Sequence, residues 1–196
     1  MTQLTPSDVE RVARAGVHIL HCPDSNLKLA SGICPVAALD RAGANVCLGT
    51  DSAASNNDLD LLAETRLASL LAKGTSGDPE AVPAARALSM ATIHGAKALG
   101  MDDRIGSIEP GKEADLAAIR LDAIETQPVH NVISQLVFAA PRCQFTDVWV
   151  AGRRLLDDRR LTTLDEDGLL ARTARWRQRI AETPAGMLNA ISIENV

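Results

Sequence analysis

The sequence predicts an α/β fold in its first half, followed by a small β region and a C-terminal helix. Helical patterns alternate with two short apolar strands over residues 5–100, and such alternation is typical of a parallel sheet. Neither strand alternates polar and apolar residues, as expected where helices cover the outer face of a sheet. After Met101, turn-forming residues become frequent and the pattern changes to short strands.

Local signals place the elements of the first half. Thr5 can cap a helix, Pro6 suits its first position and Asp8 completes a capping box. Gly16 should end that helix. A long amphipathic helix that ends at Gly74 is expected to bury a stripe of leucines, namely Leu59, Leu62, Leu67, Leu70 and Leu71. The other expected elements are strands over 17–21 and 46–50 and helices over 35–42, 83–90 and 93–99.

The second half is expected to contain four short strands and one helix. The alternation of apolar residues predicts strands over 114–121, 132–139, 146–150 and 153–156. Ala151 and Gly152 would form the hairpin turn between the last two strands. A final helix is expected over residues 165–182.

Composition excludes several classes of partner. The formal net charge is −5, so a basic surface for nucleic acid is not expected, and the arginines near the C-terminus fit a solvated helix face. No apolar run approaches the roughly 18 residues of a membrane span, and no secretory signal is visible, which favours a cytoplasmic protein. The cysteines do not form a metal-binding pattern and are expected to be reduced and mostly buried: Cys22, Cys34, Cys47 and Cys143.

The strongest chemical signal is Asp51, which follows the second predicted strand. Strand alternation would put Cys47, Gly49 and Asp51 on one face. A carboxylate at the C-terminal end of a parallel strand occupies the position at which α/β barrels carry catalytic groups, where it can bind a cation or take a proton from bound water. The alternative is that Asp51 only caps the turn after the strand.

A second signal lies at the end of the first predicted strand. His21 shares a strand face with Ile19, whereas His18 points to the opposite face. A single histidine there is more often a hydrogen-bonded core residue than a metal ligand. Asn26 and Ser25 follow in a predicted loop after the strand and can satisfy backbone groups there.

Other motifs are uninformative or argue against a mechanism. His94, at the start of a short predicted helix, is interpreted as a packing or capping residue, and His130 as structural because no acidic or cysteine partner lies nearby. A serine hydrolase is disfavoured because the GxSxG motif is absent, and no glycine-rich loop with a following lysine could hold a phosphate.

Several motifs resemble one enzyme family over nearly the whole chain up to about Asp158. The chain resembles the TRZ/ATZ branch of the amidohydrolase superfamily, and within it the 5′-methylthioadenosine/S-adenosylhomocysteine deaminases. The segments that carry the likeness are HCPDSNLKLASG, PVAAL, GTDSAASNNDLDLLAETRLASLLAK, IHGAKALGM, IGSIEPGKEADLAAI and VWVAGRRL.

The resemblance implies an α/β fold made of the C-terminal part of a (β/α)8 metal-dependent hydrolase barrel and part of a small β-sandwich domain. Residues 1–103 would belong to the barrel, 104–160 to the sandwich and 161–196 to a terminal helix and tail. It also implies Zn²⁺ or Fe²⁺ in the complete enzyme, a small purine nucleoside substrate and homo-oligomeric full-length relatives. Asp51 would bind the metal, contact the substrate and carry the proton of the attacking water, with His21 and Asn26 around it.

The sequence also departs from the family pattern. The paired HxH ligands, the later histidine ligands and the glutamate that protonates the ring have no counterpart, and Ser52 stands where many relatives have glycine. A catalytic zinc normally needs three protein ligands. This chain alone is therefore expected to be inactive. Two alternatives stay open: a guanine, other aminopurine or triazine hydrolase of the same family, and a non-enzymatic fragment that self-associates or pairs with its missing half.

Overall fold

The computed structural model describes residues 1–183, and its first half alternates helices and strands as predicted. The elements of this half are α1 (Pro6–Arg14), β1 (His18–His21), α2 (Pro23–Lys28), α3 (Val36–Arg41), β2 (Asn45–Leu48), α4 (Ala53–Asn56), α5 (Leu61–Ser76), α6 (Ala84–Ala91) and α7 (Ile93–Ala98). The second half contains β3 (Leu116–Ile119), α8 (Val132–Phe138), β4 (Phe145–Val150), β5 (Arg153–Asp157), β6 (Arg160–Leu161) and α9 (Glu166–Glu182).

Strands β1 and β2 pair in parallel, which confirms the prediction of an α/β arrangement. Their register joins His18 to Asn45 at one end and His21 to Leu48 at the other. Ile19 and Val46 lie at the centre of this pair and are almost completely buried. Val46, Cys47 and Leu48 of β2 are all buried, which explains the apolar sequence of this strand. In β1 only Ile19 and His21 are buried, and His18 and Leu20 are exposed, so the expected covering of the outer face is wrong for β1.

The first helix begins as its sequence predicts. The Thr5 side chain accepts a hydrogen bond from the backbone N–H of Asp8, and the Asp8 carboxylate accepts one from the backbone N–H of Thr5. This reciprocal capping satisfies two of the N–H groups that the first turn of a helix leaves free.

The prediction for α5 was right in type and wrong in detail. Its buried face consists of Glu64, Thr65, Ala68, Ser69 and Ala72. Leu59 and Leu70 of the expected stripe are about half exposed. The reason is that α5 packs between α3 and α6, where small side chains allow a close approach of the backbones. The helix also continues past Gly74 and ends at Gly77, whose φ of 68° is the left-handed conformation that ends many helices.

The second half forms an antiparallel sheet in the order β3-β4-β5-β6, with the predicted turn at Ala151 and Gly152. The strand expected over 132–139 is wrong, because this segment is helix α8. Asn131 caps α8 by accepting a hydrogen bond from the N–H of Ser134. The helix packs against α5 and α6, and its buried Val137 joins the core of the first half. Tertiary packing has therefore decided between two states that the apolar pattern left ambiguous.

Helix α9 follows the sheet as predicted, with Asp165 as its N-cap, and every residue in it retains solvent contact. Within residues 1–183, no helix combines the length and apolar character needed to cross a membrane. The expected C-terminal tail after Thr183 lies outside the described residues. The cysteines are all free thiols, but Cys143 is exposed rather than buried.

Candidate active site

Asp51 lies just beyond the C-terminal end of β2, as the sequence predicts. Strand pairing ends at Leu48, and the backbone of Asp51 has a φ of 61°, which is the left-handed region. Strand alternation therefore does not reach Asp51 and cannot determine where its side chain points, which corrects that part of the sequence argument. The residue is exposed in this chain. A left-handed conformation at a non-glycine residue costs free energy and is often found at functional sites.

Two buried serines orient the Asp51 carboxylate. The Ser25 hydroxyl of α2 donates a hydrogen bond of 2.7 Å to Oδ2, and the Ser55 hydroxyl of α4 donates one of 2.8 Å to the same oxygen. These two bonds, helped by the backbone of Ser52, hold the pKa of Asp51 below its usual value. The carboxylate is therefore ionised at neutral pH. Because both hydroxyls bind Oδ2, Oδ1 is the oxygen that no side chain of residues 1–183 holds.

Gly49 lies where the turn before Asp51 passes close to the Leu20 side chain. A Cβ atom at this position would lie 2.9 Å from the Leu20 side chain and 3.3 Å from Cys22 Sγ. A side chain at position 49 would therefore require the end of the exposed Leu20 side chain to shift.

His21 ends β1 at the same sheet edge at which β2 ends. Its side chain is buried, and neither ring nitrogen has a hydrogen-bond partner within residues 1–183. Burial, with a smaller effect of the N-terminal amine, lowers the pKa of His21 to about 4. The imidazole is therefore neutral at pH 7, and as a buried group without a partner it reduces the stability of the fold.

Asn26 does not join this cluster. The segment that contains it is a helix, α2, and its neighbour Ser25 is the residue that contacts Asp51. Successive residues of a helix point about 100° apart, so Ser25 and Asn26 cannot both face the same group.

Sequence reasoning missed Glu64, which lies on the buried face of α5 with 1% of its surface exposed. Its Oε2 accepts a hydrogen bond of 3.1 Å from the backbone N–H of Asp24, and its Oε1 accepts one of 2.6 Å from Asn56 Nδ2. Burial raises the pKa of Glu64 to about 7, and these two N–H groups oppose that effect. A glutamate within a helix face whose other side chains are small and uncharged was the signal that could have identified it.

His94 has a structural role. Arg86 has only N–H donors, so its contact of 2.8 Å makes His94 Nε2 an acceptor. Nδ1 therefore carries the proton and donates to the backbone oxygen of Val46 at 2.9 Å. The imidazole joins α7 to β2, while His130 is exposed.

The described residues do not by themselves make a metal site. Residues 1–183 contain no cluster of three or more histidine, cysteine, aspartate or glutamate side chains placed to hold a metal ion. A catalytic zinc site needs three protein ligands and an open position for water. Residues 1–183 therefore supply one oriented carboxylate, and any metal bound there needs ligands from outside these residues.

Comparison with known proteins gives consistent matches. Residues 1–155 match the model of the amidohydrolase family. The chain is 51% identical over 180 residues to a 5-methylthioadenosine/S-adenosylhomocysteine deaminase of Teredinibacter turnerae, which covers 92% of this chain and 41% of that protein. A deaminase of the same name from Halobacterium salinarum is 44% identical, with coverages of 90% and 41%. These matches confirm the resemblance inferred from the sequence motifs.

Solved structures agree with these matches. A zinc-bound adenosine deaminase from Xanthomonas campestris superimposes with a TM-score of 0.90 at 53% identity, covering 93% of this chain and 42% of that one. A zinc-bound atrazine chlorohydrolase from Arthrobacter aurescens gives 0.82 at 31% identity, covering 89% and 39%. The chain thus spans well under half the length of the proteins that it matches.

Proposed function

Because the chain belongs to the amidohydrolase family, we propose that it is the C-terminal part of a metal-dependent hydrolytic deaminase for adenosine-type substrates such as 5′-methylthioadenosine and S-adenosylhomocysteine. In this reaction water adds to the amine-bearing carbon of the purine and ammonia leaves. The single observation that carries the proposal is the ionised Asp51 carboxylate, held through one oxygen by Ser25 and Ser55 at the end of a parallel strand.

The family suggests how the chain is organised. Residues 1–103 would form the last part of a β/α barrel, 104–160 part of a β-sandwich, and 161–196 a terminal helix and tail. The parallel pair β1–β2 and the antiparallel sheet β3–β6 support this division.

We assign to Asp51 the roles of metal ligand, substrate contact and proton acceptor in the complete enzyme. The metal would be Zn²⁺ or Fe²⁺, and the zinc bound in the similar adenosine deaminase and atrazine chlorohydrolase structures supports a metal cofactor. The fixed orientation of the carboxylate leaves Oδ1 accessible for these roles. His21 is buried and neutral at the same sheet edge, and we assign to it a supporting role beside the site. Asn26 has no contact with Asp51 that would support a role. Since one carboxylate cannot hold a catalytic zinc, we expect the chain to be inactive alone.

Two observations bear on the alternatives. The identity to the adenosine deaminase is 53% and that to the atrazine chlorohydrolase is 31%, which favours deamination over dechlorination. Leu20 on β1 is 64% exposed and Val17 before it is 43% exposed. An exposed apolar edge of this kind favours association with a complementary chain, so pairing with an N-terminal part is compatible with the proposed activity.

The test is to restore the missing part. The chain is joined to the N-terminal portion of the T. turnerae relative that it does not match. Ammonia release is measured with 5′-methylthioadenosine, S-adenosylhomocysteine and guanine, and chloride release is measured with atrazine. We expect turnover of the two adenosine-type substrates. Asp51→Asn should lower kcat by about 10²- to 10⁴-fold, the range for loss of a general acid–base group, while the exposed Asp103→Asn should retain full activity.

Three results would count against the proposal. Turnover of guanine without turnover of either adenosine-type substrate would refute the substrate class. Full activity of Asp51→Asn would refute the role of the carboxylate. Deamination by the unjoined chain would refute its dependence on a second part.

A further inference from the structure

We propose that Glu64 is a positioning residue for Asp51, because it holds in place the two segments whose serines orient the Asp51 carboxylate. The catalytic meaning of this arrangement rests on the proposed function. The physical arrangement itself is independent of substrate and metal, and it consists of two parallel chains of contacts.

The first chain runs through α2. Glu64 Oε2 accepts the backbone N–H of Asp24 at 3.1 Å. Asp24 directly precedes Ser25, whose hydroxyl is 2.7 Å from Asp51 Oδ2. Because Asp24 and Ser25 share the first turn of a short helix, a shift of one moves the other.

The second chain runs through α4. Glu64 Oε1 accepts the Nδ2 amide group of Asn56 at 2.6 Å. Asn56 directly follows Ser55, whose hydroxyl is 2.8 Å from the same Oδ2 of Asp51. The two carboxylate oxygens of Glu64 thus bind Asp24 and Asn56. These residues are the sequence neighbours of Ser25 and Ser55, which bind the carboxylate of Asp51.

This geometry requires two acceptors at position 64. The Asn56 amide cannot rotate to offer its oxygen, because that oxygen already accepts the backbone N–H of Leu59 at 2.7 Å. The backbone N–H of Asp24 can only donate. Glutamine has one acceptor oxygen, so Glu64→Gln keeps the size of the side chain and must place its amide N–H against one of the two donors.

The surroundings of Glu64 also hold its side chain in place. Helix α5 is the longest helix of the first half, and the neighbours of Glu64 on its inner face, Thr65 and Ala68, are fully buried. Lys28 adds a bridge on the opposite, exposed side by donating to the backbone oxygen of Ala54 at 3.0 Å. Helices α2 and α4 are therefore held together from inside by Glu64 and from outside by Lys28.

The test is NMR of the isotope-labelled chain without metal or substrate, at one fixed alkaline pH at which Glu64, with its pKa of about 7, is ionised and offers two acceptor oxygens. Glu64→Gln should move the ¹³Cγ resonance of Asp51 and the amide resonances of Ser25 or Ser55. The matched control is Ser69→Ala on the same helix, which removes a buried hydrogen bond of 2.6 Å to the backbone oxygen of Val82. It should destabilise the chain and leave the Asp51 resonance unchanged.

An unchanged Asp51 ¹³Cγ resonance in a folded Glu64→Gln chain would overturn the proposal, as would an equal shift in Ser69→Ala. If Glu64→Gln does not fold, Asn56→Ala removes the second chain of contacts, together with the hydrogen bond from Leu59, and leaves the first chain in place. It should then shift Ser55 and Asp51 while Ser25 keeps its resonance, and equal shifts of both serines would overturn the proposal.

Activity of the joined enzyme separates this proposal from the proposed function. Glu64→Gln should lower kcat by about 10- to 100-fold, the usual effect of a group that orients a ligand. If the joined enzyme has no deaminase activity but Asp51 still shifts in Glu64→Gln, the proposed function fails and the positioning role stands. If the enzyme is active and Glu64→Gln changes neither kcat nor the Asp51 resonance, the positioning role fails alone.

Discussion

Two buried groups near the site should give opposite dependences of stability on pH. The fold raises the pKa of Glu64 from 4.5 to about 7 and lowers the pKa of His21 from 6.5 to about 4. Between pH 4.5 and 6.5 the folded chain keeps the Glu64 proton that the unfolded chain releases, so Glu64 makes stability fall as pH rises. Over the same interval the unfolded chain binds a His21 proton that the folded chain does not, so His21 makes stability rise.

The two effects should be of similar size. A difference of one bound proton changes the free energy of unfolding by about 1.4 kcal/mol per pH unit. At the two ends of the interval, the folded and unfolded chains differ by less than one bound proton at each group. Each group therefore contributes about 2 kcal/mol between pH 4.5 and 6.5. In the wild-type chain the two contributions to the free energy of unfolding nearly cancel. A variant that removes one group should therefore show the pH dependence that the other group causes.

The assay is urea unfolding of the wild-type chain, Glu64→Gln and His21→Leu at several pH values between 4.5 and 6.5. Circular dichroism is preferable to fluorescence, because Trp149 and Trp176 both lie outside the α/β part. Relative to wild type, Glu64→Gln should gain about 2 kcal/mol of stability as pH rises over this interval, and His21→Leu should lose about as much. The exposed Glu80→Gln is the control and should follow the wild-type profile.

Other charges around these groups do not alter the comparison. Asp24 and Asp58 raise the pKa of Glu64, the Cys22 thiol lies nearby, and the lowered pKa of His94 acts in the same direction as His21. All of these are present in each protein, so they are removed when a variant profile is subtracted from that of wild type. Parallel profiles for all four proteins would refute the reasoning.

Two further changes test the packing around helix α7. Gly106→Ala should destabilise the chain by about 1–3 kcal/mol, since its Cβ would lie 2.7 Å from Ala96 Cβ at a φ of 88°. Gly111→Ala has a similar φ of 94° but open space, so it should cost less, and equal costs in urea unfolding would contradict the steric argument. Arg86→Met should cost about 1–3 kcal/mol, because it leaves the half-buried Asp40 and the buried His94 without their shared donor. Restoration of the lost stability by a second change, Asp40→Leu, would support that reason, whereas simple addition of the two losses would refute it.

Local signals were sufficient for part of the fold. The capping box at Thr5 and the turn at Ala151 involve residues that are adjacent along the chain, so their pattern determines the structure. Segment 132–138 was different, because its β-branched residues favour a strand while its burial comes from docking on α5 and α6. The leucines of α5 were misleading for a related reason. Both the leucine stripe and the small-residue stripe have helical spacing, and only the distance to the neighbouring helices decides which one is buried.

The position of Asp51 could be predicted because the end of a parallel strand is a local feature with a known consequence in α/β folds. The groups that orient it could not. Ser25 is 26 residues from Asp51, and Glu64 is 40 residues from Asp24. These contacts depend on how α2, α4 and α5 pack against one another. Reading the segment after β1 as irregular also concealed that Ser25, rather than Asn26, faces the carboxylate.

The contacts that orient Asp51 all lie between residues 24 and 64 of the described structure. The ligands that a zinc ion would need in addition do not. Orientation of the carboxylate and completion of a metal site are therefore separate events, and the first requires nothing outside this chain. Under the proposed function, joining an N-terminal part should find Asp51 already ionised and directed, so that little ordering of this proposed ligand remains to oppose metal binding. The Asp51 ¹³Cγ resonance should accordingly be the same in the isolated chain and in the joined, metal-free enzyme, and a large difference would mean that the other part of the protein creates this geometry.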